Sequence, residues 1–163
     1  MSKTFVNRVL ATNADLGPTA LRILVGLIFA AHGAQKLFGW FGGYGLDGTG
    51  QFFGSVGLHP GYLLALLAGA AEFFGGLALL VGFVVRPAAA VLAFTMVVAI
   101  FAVHWSKGFF AGSGGYEYAL ALFAASLSLL FSGAGRYSVD GALTAGEQAS
   151  PRPGIVPAVR GAR

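Results

Sequence analysis

Apolar residues gather in four blocks, at about 19–39, 61–83, 87–105 and 116–132, and polar residues collect at their margins. Each block approaches the roughly 20 residues that a helix needs to cross a bilayer. Hydrocarbon offers the backbone no hydrogen-bond partners, so such blocks cross as helices. The pattern predicts an all-α membrane protein, a four-transmembrane-helix bundle. Pro18 suits the first turn of the first helix. Blocks two and three meet at Arg86–Pro87 with almost no linker and form an antiparallel hairpin. Blocks three and four are joined by the glycine-rich, aromatic stretch WSKGFFAGSGG.

Three segments fall outside this pattern. Residues 1–18 are weakly amphipathic and read as an N-terminal cytoplasmic or interfacial segment. Residues 40–60, between helices one and two, are too apolar for a water-exposed loop and too rich in glycine for a span. They read as an interfacial or re-entrant segment. Residues 144–163 carry three prolines and three arginines without apolar periodicity, which predicts a disordered cytoplasmic tail. The membrane domain is thus expected over 19–143, and no cleavable signal is read before the first block.

Composition sharpens the class. Only 10% of residues are charged and 56% are hydrophobic, against roughly 25% charged in soluble domains. The 26 glycines fit helices that pack backbone to backbone in a membrane. The absence of cysteine excludes thiol–disulfide chemistry, thiolate-held iron–sulfur clusters and c-type haem attachment. The net charge of +4 is no nucleic-acid signal, because the basic residues sit at the block ends. Lys3, Arg8, Arg22, Arg86, Arg136 and the tail arginines fall on one side of a four-span arrangement and Lys107 on the other. The positive-inside rule then places both termini in the cytoplasm, with Arg22, Arg86 and Arg136 as topology anchors.

Against this apolar background, His32, Lys36, Glu72, His104 and Glu117 stand out. Ionisable residues at membrane depth are costly and face the protein interior or a wet cavity. Measured from the arginine markers at 1.5 Å per residue, Lys36 and Glu72 both lie about 21 Å up, and His104 and Glu117 about 27–28 Å up. Lys36 is therefore expected level with Glu72, and His104 with Glu117. Glu72 shares a helical stripe with Ala65, Ala68, Gly69 and Gly76, and Glu117 with Ala121, Ala124 and Ser128. Small residues beside an acid let a neighbouring helix close in. A shared polar, ligand-binding pocket is the expectation. The same residues also fit a blander reading: Lys36–Glu72 as an ion pair that only fixes helix order, His104 and Glu117 as wet helix ends, His32 as a hydrogen-bonded core histidine.

Metal readings are weak. His32 and His104 are offset by about 12 Å on the same scale, too far to ligate one haem iron from opposite faces. His104 and Glu117 lack the spacing of a zinc site. No metal site and no resident cofactor are expected, and no phosphate loop or dinucleotide fingerprint is present.

An ordered set of fragments resembles the DoxX family of small bacterial four-span membrane proteins. The fragments are LRILVGLIFAAHGAQKLFG, AEFFGGLALLVGFVVRPAA, MVVAIFAVHWSKGFF, GGYEYALAL and GAGRYSVDGAL, covering about residues 20–143. The resemblance implies a helical bundle in the bacterial cytoplasmic (inner) membrane. Some relatives are subunits of a thiosulfate:quinone oxidoreductase, and others belong to membrane-associated oxidative-stress complexes. The thiosulfate-oxidising relatives use a second subunit or domain, and no stretch here resembles one.

Three functions follow as expectations. The first is a quinone-facing component of a membrane oxidoreductase system, with quinone as bound substrate and a soluble or membrane redox partner. Quinone chemistry needs an apolar slot and proton donors near the carbonyls. The second is a non-catalytic ligand-binding or scaffold subunit for another membrane protein, or a homo-oligomer. The third is a small-solute transporter, against which stands the lack of any inverted repeat.

Overall fold

A computed structural model describes residues 16–148. The expected N-terminal segment lies almost wholly outside the described residues, as does the tail beyond residue 148. Every regular element among the described residues is helical. In chain order these are α1 (Leu16–Phe38), α2 (Gly45–Ser55), α3 (Gly61–Val81), α4 (Val85–Val98), α5 (Glu117–Ser132) and α6 (Val139–Gln148). Three helices are long and apolar enough to cross a membrane: α1, α3, and α4 with its continuation to Lys107. At 16 residues, α5 is about 24 Å long, less than the roughly 30 Å hydrocarbon core. Residues 40–60 hold α2, so the predicted glycine-broken segment contains a helix of its own. Helix α6 runs to Gln148 and so includes the first residues of the expected tail.

The four longest helices pack in a closed ring, α1 on α3, α3 on α4, α4 on α5 and α5 on α1, with α2 laid against α1 and α3. Glycine sets the closest of these contacts. A Cβ on Gly26 would stand 2.7 Å from the Gly76 carbonyl oxygen, and one on Gly33 would collide with the Phe73 backbone. Only bare backbone lets α1 and α3 approach this far. Phe29, Leu79, Leu92 and Leu129 are fully buried inside the ring. The outward faces carry Leu67, Phe74, Phe94 and Phe131, each more than half exposed. A soluble domain does not leave so broad an apolar surface bare.

One end of the molecule is locked by charge. Helix α3 stops at Gly82 in the left-handed region (φ 74°), where the Phe83 N–H returns to the Ala78 carbonyl at 2.9 Å, a Schellman closure. The carbonyls left over at that terminus are claimed by Arg22. Its guanidinium donates to Leu79 and Leu80 (2.9 and 2.6 Å), to Ala134 (2.9 Å) and to the Tyr137 carbonyl. A cation at a helix C-terminus also complements the macrodipole. The next helix begins under the opposite charge: the Asp140 carboxylate accepts from the Val84 and Val85 N–H groups at 2.8 and 2.9 Å. That grip holds Val84 at φ 46°, a conformation costly for a β-branched residue.

Arg22 is therefore no simple interfacial anchor. It is 2% exposed and ties α1 to two other parts of the chain. Arg86, beside Gly133, and Arg136, near the Tyr137 ring, are exposed at the same end.

Candidate functional site

Above the core, the helices separate around a cavity of about 720 Å³. Helix α1 contributes Phe29, His32 and Lys36, a spacing of three and four residues that keeps them on one face. Helix α3 contributes Leu64, Leu67, Ala68, Ala71 and Glu72. Helix α4 brings Val91, Phe94, Thr95 and Val98, while Tyr118, Ala119 and Leu122 come from α5. Phe52 and Phe53 of α2, with Leu58 just after it, complete the wall. Leu67, Val91 and Phe94 line the cavity yet are 56, 50 and 69% exposed. The cavity thus reaches the apolar outer surface between α3 and α4.

The Lys36 ammonium pairs with the Glu72 carboxylate across α1 and α3. The predicted small-residue stripe explains the approach. Ala65, Gly69 and Gly76 are buried on the Glu72 face, and a Cβ on Gly69 would press on Leu37 and on the Lys36 Cβ. Glu72 is nearly enclosed, its side chain 4% exposed, whereas Lys36 keeps 24%.

His104 reaches the same cavity through an irregularity. Helix α4 passes into a π-helical stretch, Ala99–His104, and then a 3₁₀ turn, Trp105–Lys107. A π turn packs more residues into each turn than an α-helix. Counting a uniform α-helical rise therefore sets His104 too high, and the structure places it on the wall of the same cavity as Lys36 and Glu72. Its Nδ1 donates to the Gly114 carbonyl oxygen at 2.7 Å. The Gly114 backbone is left-handed (φ 81°) and ends the short turn before α5.

Glu117 does not join the cavity, and the expected His104–Glu117 pairing is not formed. Its carboxylate accepts from the Ala111 N–H at 2.9 Å, while its own N–H donates to Phe109 at 2.8 Å. It closes the loop over 108–117. The stripe predicted beside it, Ala121, Ala124 and Ser128, is exposed, and α5 instead buries Ala119, Leu122, Ser126 and Leu129. Tyr118, one residue on, is the polar α5 side chain on the cavity wall. Its ring centroid lies 6.0 Å from that of His32.

The structure thus brings together His32, Lys36, Glu72 and His104, sets Glu117 apart, and adds Tyr118, Phe52 and Phe53. Sequence reasoning passed over Tyr118 because Glu117 beside it carries the charge. Among the described residues, no three His, Asp or Glu side chains are grouped so as to hold a metal ion.

Comparison with known proteins agrees with the sequence resemblance. Residues 17–105 match the DoxX family, a stretch from α1 through the π turn that includes Lys36, Glu72 and His104. A protein of Bacillus subtilis (strain 168) named "Putative oxidoreductase CatD" is 32% identical over 115 residues, which span 71% of this chain and 79% of that protein. No solved structure matches. With more than half of its length inside the family match, this chain belongs to the DoxX family of membrane proteins.

Proposed function

We propose that the protein is the quinone-facing membrane component of an oxidoreductase system. The observation that carries this reading is the cavity: an apolar slot of about 720 Å³ that opens on the outer surface and has Lys36, Glu72, His32, His104 and Tyr118 on its wall. Its volume falls in the range of small-molecule sites, roughly 300–1,000 Å³. An opening between two apolar helices suits a ligand that arrives through lipid and leaves a hydrocarbon tail there. The polar groups suit a ring with oxygens at its edge. The oxidoreductase name of the Bacillus relative points the same way.

In this reading the bilayer is the bacterial cytoplasmic membrane, and α5 is the fourth span. Although short, it runs between the same two ends as its neighbours, from the His104–Gly114 contact to the Arg22 clamp at Ala134. Four spans put both termini on one side, and the arginine end marks that side as cytoplasmic. Helix α2, with two phenylalanines on the cavity wall, lies at the interface or dips into it as a re-entrant segment.

The test is a titration of the purified protein, in mild detergent, with decylubiquinone. Saturable binding is expected, with Ala68→Phe, which fills the slot, weakening it at least about tenfold while the protein stays folded. Equal affinity in the folded variant would overturn the reading.

A second reading has its own observation. The face of α5 carrying Ala121, Ala124 and Ser128 is small and exposed, as suits a helix that docks on another membrane protein. Co-purification of a stoichiometric partner, lost in Ala124→Phe, would favour a scaffold role.

A further inference from the structure

His104 and Lys36 differ in what they can offer a ligand, and the difference is fixed by their existing bonds. The His104 ring lies 2.7 Å, through Nδ1, from the Gly114 carbonyl oxygen. A carbonyl only accepts, so Nδ1 carries the hydrogen. In the neutral ring Nε2 is then the lone-pair nitrogen and can only accept. No hydrogen bond occupies it among the described residues. Lys36 is the reverse. Its ammonium has three donors and no acceptor, and the Glu72 bond uses one of them. Of the other acceptors on the wall, the Glu72 carboxylate is enclosed, with its side chain 4% exposed, and holds that ammonium through Oε2, and the Thr95 hydroxyl spends its hydrogen on the Val91 carbonyl. His32 has Gln35 as a side-chain hydrogen-bond partner. Tyr118 can donate or accept and so adapts to either form of the ligand.

A quinone head has oxygens that accept and nothing that donates. It can take a hydrogen from Lys36, but it leaves His104 Nε2 facing an apolar ring without a partner. A quinol has a hydroxyl at each end of its ring. It can accept from Lys36 and donate to His104. We propose that the cavity is selective for redox state, binding the reduced, hydroxyl-bearing quinol more tightly than the quinone, and that His104 Nε2 is the group that reads the hydroxyl. The π turn is the positioning device, since it carries His104 to the cavity while Gly114 holds the ring by its far nitrogen.

This inference rests on the quinone reading and adds a direction to it. By linkage, a site that prefers the quinol favours reduction of the bound quinone by the same factor. The expected preference is that of one hydrogen bond between neutral groups, roughly 2- to 10-fold.

The experiment compares decylubiquinol and decylubiquinone, titrated anaerobically into the full-length protein in mild detergent at mildly alkaline pH. The key variant is His104→Asn, whose side-chain amide can keep the bond to Gly114 but has no counterpart of Nε2. The quinol is expected to bind 2- to 10-fold more tightly to the wild type, and the ratio to fall to about one in His104→Asn. The ratio, rather than either affinity, is the readout, because a merely structural defect lowers both affinities alike. His104→Gln, whose amide oxygen can occupy the Nε2 position, is expected to restore part of the preference. Equal or tighter quinone binding by the wild type would overturn the proposal and leave the quinone site standing. A preference that survives in folded His104→Asn would overturn the role of Nε2. Failure of either form to bind the folded wild type would remove the quinone reading and this inference together.

Discussion

Replacing Lys36 with Met is expected to cost the protein far more stability than replacing Glu72 with Gln, although each change breaks the same ion pair. The partners are buried unequally, with Glu72 at 4% and Lys36 at 24% exposure. Lys36→Met strands a carboxylate on the enclosed α1–α3 interface, where no other cation among the described residues is bonded to it. Loss of one partner of a buried pair costs about 3–5 kcal/mol. Glu72→Gln leaves an ammonium on a flexible stem that already reaches the cavity and can turn toward water. The Gln amide oxygen can still accept from it, so the loss is about 1–2 kcal/mol. Replacing both residues with Met leaves no charge behind and is expected to be nearly neutral. At roughly 2–4 °C per kcal/mol for a chain of this size, Lys36→Met lowers the melting temperature by about 6–20 °C and Glu72→Gln by about 2–8 °C.

The assay is scanning fluorimetry in one detergent on wild type, both single variants and the double variant, read as a double-mutant cycle. Equal losses in the two single variants, or a double variant as damaged as their sum, would refute the reasoning. The double variant also separates the two readings of the pair. If the pair only fixes helix order, a stable Lys36→Met/Glu72→Met protein binds decylubiquinone as the wild type does. If the pair serves the ligand, that protein is folded and does not bind.

Gly26→Val is expected to destabilise by about 1–3 kcal/mol or more, because its Cβ would meet the Gly76 oxygen at 2.7 Å and the Leu80 nitrogen at 2.9 Å, both of them backbone. Gly17→Ala, with no heavy atom within 4 Å of the new Cβ, is the matched control and should leave the melting temperature unchanged or slightly raised. Arg22→Met removes the donor to four carbonyls and should cost about 3–5 kcal/mol, with Arg22→Lys recovering only part because an ammonium lacks the planar fork. Glu117→Gln, outside the cavity, is expected to lower stability by about 1 kcal/mol through the Ala111 bond and to leave quinone affinity unchanged.

The parts of this protein that were legible in its sequence are those where one residue property decides the outcome. Helix extent followed hydrophobic length, so three of the four blocks became helices of spanning length within a few residues of the expected bounds. The Lys36–Glu72 contact followed height plus a glycine stripe, two regularities that an ideal helix preserves. Legibility failed where the chain departs from an ideal helix or where its faces do not differ. The π turn of Ala99–His104 adds a local excess of residues that no apolar pattern announces, and with it the pairing expected for His104 moved from Glu117 to the Lys36–Glu72 cavity. Helix α5 is apolar on every side, so the phase that buries Ala119, Leu122 and Ser126 was indistinguishable from the one that would bury Ala121, Ala124 and Ser128. Arg22 misled for a third reason. A charge at a span end satisfies the positive-inside rule whether it meets lipid headgroups or the carbonyls of other segments, and only the fold distinguishes these. That fold puts one charged clamp, Arg22 with Asp140, at the tight-turn end of the α3–α4 pair. The cavity lies toward the other end, where α2 and the loop before α5 border it. In the proposed reading, the cavity that takes the ligand and the Gly114 carbonyl that holds His104 stand at one end of the bundle, and the Arg22 clamp that ties the segments together stands at the other.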